Sequence, residues 1–375
     1  MGTAALVAVG CLLLAEFRGS EAAVSDPAPS TLAKPTETKG FIFGLDYADA
    51  LPTENGTALG NSLDDADEVG AGWIRVDLAW YRIEPEAGRW DWSSFDRTVS
   101  YAKARGLKVL AILDQPPAWA REASCAADNW CPPADDAAFA AFAAKAAQRY
   151  SPDVVGAWEV WNEENLAYYW PGGADPAAYA AMVKSTAIAV HAVRPHAELV
   201  LGGMAVSGST DSNLSAHDFL LGVAQVDALQ YVGAIGYHPY SFPQMPGGAA
   251  AFTEIGVGPN SLAAVLDQYG AAGTPIWITE AGAPISPAAE PGGSAAAVTA
   301  AEDLQAEYAS ALVAAATGNP DVKALFWFSD IDLPAQQLYY GLRRADGTAR
   351  PAFTALHKAI EAFENSKPTG SPTTS

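Results

Sequence analysis

The stretch VVGAWEVWNEEN, residues 154–165, decides the fold of this chain. VVGAWEVWN (154–162) is a nearly continuous apolar run, the pattern of a strand covered on both faces in a parallel sheet. A surface charge cluster would not be laced with Trp158, Val160 and Trp161. An ordinary core strand would not tolerate Glu159, Glu163 and Glu164. The three carboxylates therefore cannot share one task, and at least one of them is a candidate for chemistry.

Seven more runs of this kind flank it: FIFGLDY (41–47), WIRVDLAW (73–80), KVLAILD (108–114), ELVLGGM (198–204), VGAIGYH (232–238), PIWITE (275–280) and ALFWFSD (324–330). Helical stretches lie between them, including 137–150, 176–193 and 300–317, and 353–363 follows the last. AAYAAMVKSTAIAVHAV carries the period of a buried amphipathic helix. Eight βα units in one domain of this size predict a closed (β/α)8 TIM barrel as a single catalytic domain. A doubly wound open sheet is second, because GLDYADALP after the first strand is not a Gly-rich phosphate loop.

The barrel is expected over 40–364. Residues 24–39 read as a Pro/Ser/Thr-rich linker and 365–375 as a flexible tail. Residues 1–23 carry an apolar run of the length of a signal-peptide core, so they read as a signal peptide or N-terminal anchor. A secreted or cell-envelope-associated protein is the expectation. Cys125 and Cys131 in SCAADNWC then read as a disulfide closing a short loop; a zinc site would need further ligands, and a redox pair has different spacing. Asn55-Gly-Thr and Asn213-Leu-Ser match the glycosylation pattern.

The net charge of -22 over 375 residues argues against nucleic acid, whose binding needs clustered Lys and Arg, and against anionic membranes. It is compatible with a neutral partner such as a sugar polymer. A monomer is expected.

A barrel of this kind builds its site at the C-terminal ends of its strands. The polar and aromatic residues there are Asp46, Arg75, Trp80, Asp114, Gln115, Asn162, Glu163, His238, Tyr240, Glu280, Trp327 and Asp330. Glu163 and Glu280 end the fourth and seventh runs. WNE (161–163) and WITE-AG (277–282), with IRVDLAW, EPEAGRWDWSSFD, GYHPY and FWFSD in order, resemble the clan A retaining glycoside hydrolases. The EPE-G-WDW-FD block with DQPPAWA is most similar to family 39 and its bacterial exopolysaccharide-hydrolase relatives, and next to family 5.

The resemblance implies retaining hydrolysis, which uses two carboxyls about 5–5.5 Å apart, with Glu163 as acid/base and Glu280 as nucleophile. Arg75 is the cation expected to keep Glu280 ionised, while Trp161 and Tyr168 are expected to wall the acid. In the clan, a residue placed as Asn162 grips the sugar 2-hydroxyl, the pair placed as His238 and Tyr240 supports nucleophile and sugar, and Trp327 matches a stacking platform. Asp46 and Gln115 are further candidates for nucleophile support or substrate contact, and Trp119 and Trp170 for sugar stacking. Glu159 shares the inward face of its strand and should pair with a buried cation. Glu164 stands where the family often has proline and is expected at the rim.

A carbohydrate partner follows, with no metal and no organic cofactor. The expected function is an endo-acting retaining β-glycoside hydrolase on an extracellular or cell-envelope polysaccharide. A transglycosylase or an exo-β-glycosidase acting on xylosides or other small glycosides would use the same glutamate pair. A non-catalytic sugar-binding barrel would usually have lost one of Glu163, Glu280 and Arg75. A metal-dependent barrel hydrolase would want His and Asp clusters at strand ends, and HPY supplies one His.

Overall fold

The computed structural model describes residues 40–285 and 294–367. The expected leader (1–23), the linker (24–39) and residues 368–375 of the tail lie outside the described residues. Eight parallel strands follow one another in chain order: β1 (Ile42–Asp46), β2 (Trp73–Ala79), β3 (Lys108–Asp114), β4 (Val155–Asn162), β5 (Glu198–Ala205), β6 (Ala234–His238), β7 (Ile276–Ala281) and β8 (Val322–Phe328). β8 pairs with β1, so the sheet closes into the expected (β/α)8 barrel. Each apolar run of the sequence coincides with a strand, the ends shifting by a residue or two.

The helices are α1 (Gly56–Val69), α2 (Trp80–Ile83), α3 (Ser93–Ala104), α4 (Asp136–Arg149), α5 (Pro176–Val193), α6 (Ala216–Gln225), α7 (Ala250–Gly256), α8 (Leu262–Gln268), α9 (Ala295–Gly318) and α10 (Pro351–Ser366). Several of their starts are chemically marked. The Asn55 side chain accepts from the Thr57 and Ala58 amides ahead of α1, and Asp175 does the same for Ala177 and Ala178 ahead of α5, where Pro176 takes the first helical position.

Side chains alternate across the barrel wall. Outward residues such as Leu45, Val76, Ala111, Leu201 and Ile278 join the helices in the large apolar layer. Inward residues Ile42, Trp73, Leu110, Ala157, Val200, Ala234, Trp277, Ala324 and Phe326 form a separate apolar plug. Large residues fit there because small ones face them. A Cβ on Gly44 would come 2.2 Å from the Phe326 ring, and one on Gly156 2.3 Å from Trp73. The plug fills the barrel below the level at which inward residues become polar.

Candidate active site

Above the plug the inward residues are charged, and Arg75 of β2 organises them. Its Nε and Nη2 donate to Glu159 at 2.7 and 3.2 Å, and Nη1 donates to Asp46 at 2.8 Å and to Glu280 at 3.3 Å. Nη2 also donates to Asn162 Oδ1 at 2.8 Å. All five guanidinium N–H groups are thereby engaged. Glu159 lies deep and paired with a cation, as its place on β4 implies. Asp46 spends Oδ2 on Arg75 and Oδ1 on the Ala48 amide, so it positions the arginine.

Glu280 at the end of β7 receives two donors. Tyr240 donates its hydroxyl to Oε1 at 2.5 Å, and Arg75 reaches Oε2. Glu163 at the end of β4 meets Nδ1 of His238 at 3.0 Å, and the same nitrogen lies 3.8 Å from Glu280. One imidazole thus touches both carboxyls. Its Nε2 faces Thr279 Oγ1 at 3.0 Å. Burial lowers the His238 pKa, so the ring is neutral. Burial pushes the carboxyls of Glu163 and Glu280 up to about 7, against the pull of Arg75 on both. Two donors converge on Glu280 and a neutral ring faces Glu163, so the charge rests on Glu280 and the proton on Glu163.

Local backbone distortion brings these groups together. Strict alternation would send one of Asn162 and Glu163 outward. Trp161 and Glu163 take left-handed φ values of 75° and 49°, and the Glu163 amide bonds Gly203 O at 3.1 Å. Both side chains then face the mouth, at the cost of backbone strain of a kind that clusters at functional sites.

The same distortion corrects several expectations. Trp161 turns outward and is fully buried, donating to Tyr169 O; it does not wall the acid. Tyr168 is 70% exposed. Tyr169 and Tyr340 both stand in the field of Glu163 and Glu280, and each hydroxyl pKa is raised by burial first and then by these two carboxyls. Glu164 is not a rim residue. It is completely buried behind the wall, where a Cβ on Gly202 would lie 2.3 Å from its Oε2.

Trp327 is also corrected. It pairs with the outward Leu45, is fully buried, and sits 6.5 Å edge-on from Tyr308 of α9. The inward residue of β8 at the mouth is Phe328, level with Asp46, with Tyr340 at 5.3 Å from its ring and at 5.9 Å from that of Tyr240. Trp170 is buried against Trp161 and Tyr179 and offers no stacking face. Trp119 is 43% exposed, edge-on to Trp80, and donates to Glu84 O. Cys125 and Cys131 form the expected disulfide, and Trp130 inside that loop meets Tyr169 at 4.7 Å.

Asp77, Thr279, Phe328 and Tyr340 were not singled out in the sequence. Alternation in IRVDLAW was the available signal for Asp77, since it puts Asp77 on the face of Arg75. Gln115 donates to Asp77 Oδ2 at 3.2 Å.

The cellulase family, glycosyl hydrolase family 5, matches residues 43–327. Similar solved structures include a family 39 glycoside hydrolase from the gut symbiont Bacteroides cellulosilyticus WH2, at 20% identity and TM-score 0.65, over 87% of this chain and 64% of that one. An exo-β-1,4-mannosidase from Opitutaceae bacterium strain TAV5 aligns at 17% identity and TM-score 0.64, over 93% of this chain and 64% of that one. A family 5 subfamily 18 protein from Streptomyces cattleya, solved with GlcNAc, aligns at 19% identity and TM-score 0.62, over 88% and 82%. The chain thus spans less than two thirds of the length of the first two. No curated protein matches its sequence.

Proposed function

The chain belongs to the cellulase family, glycosyl hydrolase family 5, within the clan A retaining glycoside hydrolases, and from that premise we propose that it is an endo-acting β-glycosidase of an extracellular or cell-envelope polysaccharide. The observation that carries the assignment of roles is the asymmetry of the pair. Arg75 and Tyr240 both donate to Glu280, whereas Glu163 meets a neutral ring. Glu280 attacks the anomeric carbon as Glu163 gives its proton to the departing oxygen. Glu163 then takes a proton from the water that releases the sugar from Glu280. Asn162 spends its carbonyl oxygen on Arg75, leaving its amide N–H groups for the substrate. Endo action is supported by exposed Trp119 and Tyr168 and by the Trp130–Tyr169 pair beside the catalytic centre. The Cys125–Cys131 disulfide supports an oxidising compartment.

The test is digestion of reducing-end-labelled cell-wall polysaccharides and exopolysaccharides by the full chain, with Glu280→Gln as the control. A ladder of labelled intermediates in the first minutes is expected. Release of a single monosaccharide without intermediates would overturn endo action.

A further inference from the structure

Two inward carboxyls beside the catalytic centre have no part in the double displacement. Asp77 lies two residues beyond Arg75 on β2, and Asp114 ends β3 on the face that carries Leu110 of the inner plug. The strands pair with Ala79 opposite Asp114, which makes the two carboxyls neighbours at the mouth. Asp114 is completely buried, and neither of its oxygens has a hydrogen-bond partner among the described residues. The Gln115 amide favours its charged form without reaching hydrogen-bond geometry. That amide donates instead to Asp77, held there by a left-handed φ of 46° at Gln115 and by the bond from Tyr81 N to Gln115 O at 2.9 Å.

Among the described residues no cation hydrogen-bonds these carboxyls. Arg75 has no N–H left for them, and Arg82 bonds Asp49 at 2.9 Å. Asp46, Asp77, Asp114, Glu159, Glu163 and Glu280 therefore gather around a single guanidinium. Burial, opposed by Arg75 and then reinforced by Asp49, pushes the Asp77 carboxyl up to about 8. Asp77 shares its space with the catalytic pair, since Tyr169 stands in the field of Glu163, Glu280 and Asp77 alike. Among the described residues no three His, Cys, Asp or Glu side chains converge as metal ligands.

We propose that Asp77, Asp114 and Gln115 form a recognition corner for a protonated amino group on the bound saccharide, so that the enzyme acts on a polysaccharide carrying free amino sugars. An ammonium brings three donors and the missing positive charge to two carboxyls that lack them. A hydroxyl brings one donor and no positive charge to draw these carboxyls into their ionised form. The inference rests on the glycosidase reading, because it is that reading which brings a saccharide to the mouth.

The experiment measures binding of three tetrasaccharides to the full chain carrying Glu280→Gln, at low salt and pH 6.5. They are β-1,4-linked glucosamine, its fully N-acetylated form and cellotetraose. The free-amine tetramer is expected to bind at least tenfold more tightly than either neutral one. Asp77→Asn and Asp114→Asn, each added to that background, are expected to bring the ratio toward one. A free-amine tetramer that binds no better than cellotetraose overturns the proposal, as does failure of all three to bind. A preference that survives both substitutions also overturns it. The first comparison needs no Asp variant, so a folding defect in one cannot mask the result. Turnover of 4-nitrophenyl β-glycosides by the unsubstituted chain is read in parallel. Its absence sinks the glycosidase reading and leaves the binding ratio to judge the corner.

Discussion

Nδ1 of His238 lies 3.0 Å from Oε1 of Glu163, while Nε2 of the same ring lies 3.0 Å from Thr279 Oγ1. A buried neutral ring has one proton. With Thr279 Oγ1 donating to Nε2, the ring's one proton sits on Nδ1 and goes to Glu163 Oε1, which fixes the carboxyl and leaves Oε2 to carry the acid's proton toward the leaving oxygen. His238 is thus a positioning residue acting through Glu163. His238→Ala is expected to lower kcat/KM about 10²-fold on glycosides with poor leaving groups. On 2,4-dinitrophenyl glycosides, which leave without protonation, the loss should be several-fold only. Equal losses on both would show that the ring serves binding instead.

Azide separates the roles of the two glutamates. In Glu163→Ala an activated aryl glycoside still forms the glycosyl-enzyme, and azide then displaces Glu280 to give the retained β-glycosyl azide. In Glu280→Ala azide attacks the substrate directly and yields the inverted α product. Product stereochemistry by NMR checks this, and the opposite pattern would exchange nucleophile and acid.

The pH profile follows from the opposite protonation states that the two carboxyls need. The active form has Glu163 protonated and Glu280 ionised, and burial brings both carboxyls to about 7. kcat/KM should therefore be bell-shaped, with two macroscopic values bracketing that pH. The acid limb reports ionisation of the pair's first proton, and the alkaline limb loss of the acid. In Glu163→Ala, assayed on a dinitrophenyl glycoside, the alkaline limb should vanish. The acid limb should stay close to its place, because Glu163 is protonated and uncharged while Glu280 ionises. An alkaline limb that persists there would assign it to another group.

The barrel was legible because a doubly covered strand has no alternation to confuse, and eight such runs leave few topologies. Arg75, Glu159, Asn162, Glu163, Tyr240 and Glu280 were legible because they end or line those runs. What failed was facing. Two left-handed residues in β4 reset which side chains turn inward, so Trp161 and Glu164 went behind the wall. On β8 the residues of FWF look alike, and Trp327 falls on the outward parity. Neither the distortion nor the parity has a signature in composition or period.

Trp327 and Phe328 therefore differ in what their loss does. Trp327→Ala opens a cavity between β8 and α9 and should cost about 3–5 kcal/mol of stability, with KM close to that of the parent. Phe328→Leu removes an aromatic face at the mouth and should lower kcat/KM by about tenfold with a small change in stability. Chemical denaturation beside steady-state kinetics measures both. A Trp327 variant that loses substrate affinity at full stability would restore it as a platform.

Glu164 makes stability depend on pH. Burial raises its carboxyl from 4.5 to about 8, and no hydrogen-bond partner reaches its oxygens among the described residues. The Tyr179 hydroxyl beside it gives its proton to Val160 O. Below pH 4.5 the group is protonated in both folded and unfolded chains and costs nothing by titration. As pH rises from there, the unfolded chain ionises first, and the folded chain loses stability until its own group ionises near 8. Glu164→Gln keeps the size and removes the titration. Any cost of its unpaired amide is the same at every pH. The substitution should therefore gain on the parent by an amount growing from pH 5 to pH 8, on the order of 3–5 kcal/mol. Urea unfolding of both proteins across that range gives the comparison. Parallel stability curves would mean that Glu164 is already ionised at neutral pH and that a donor reaches it in solution.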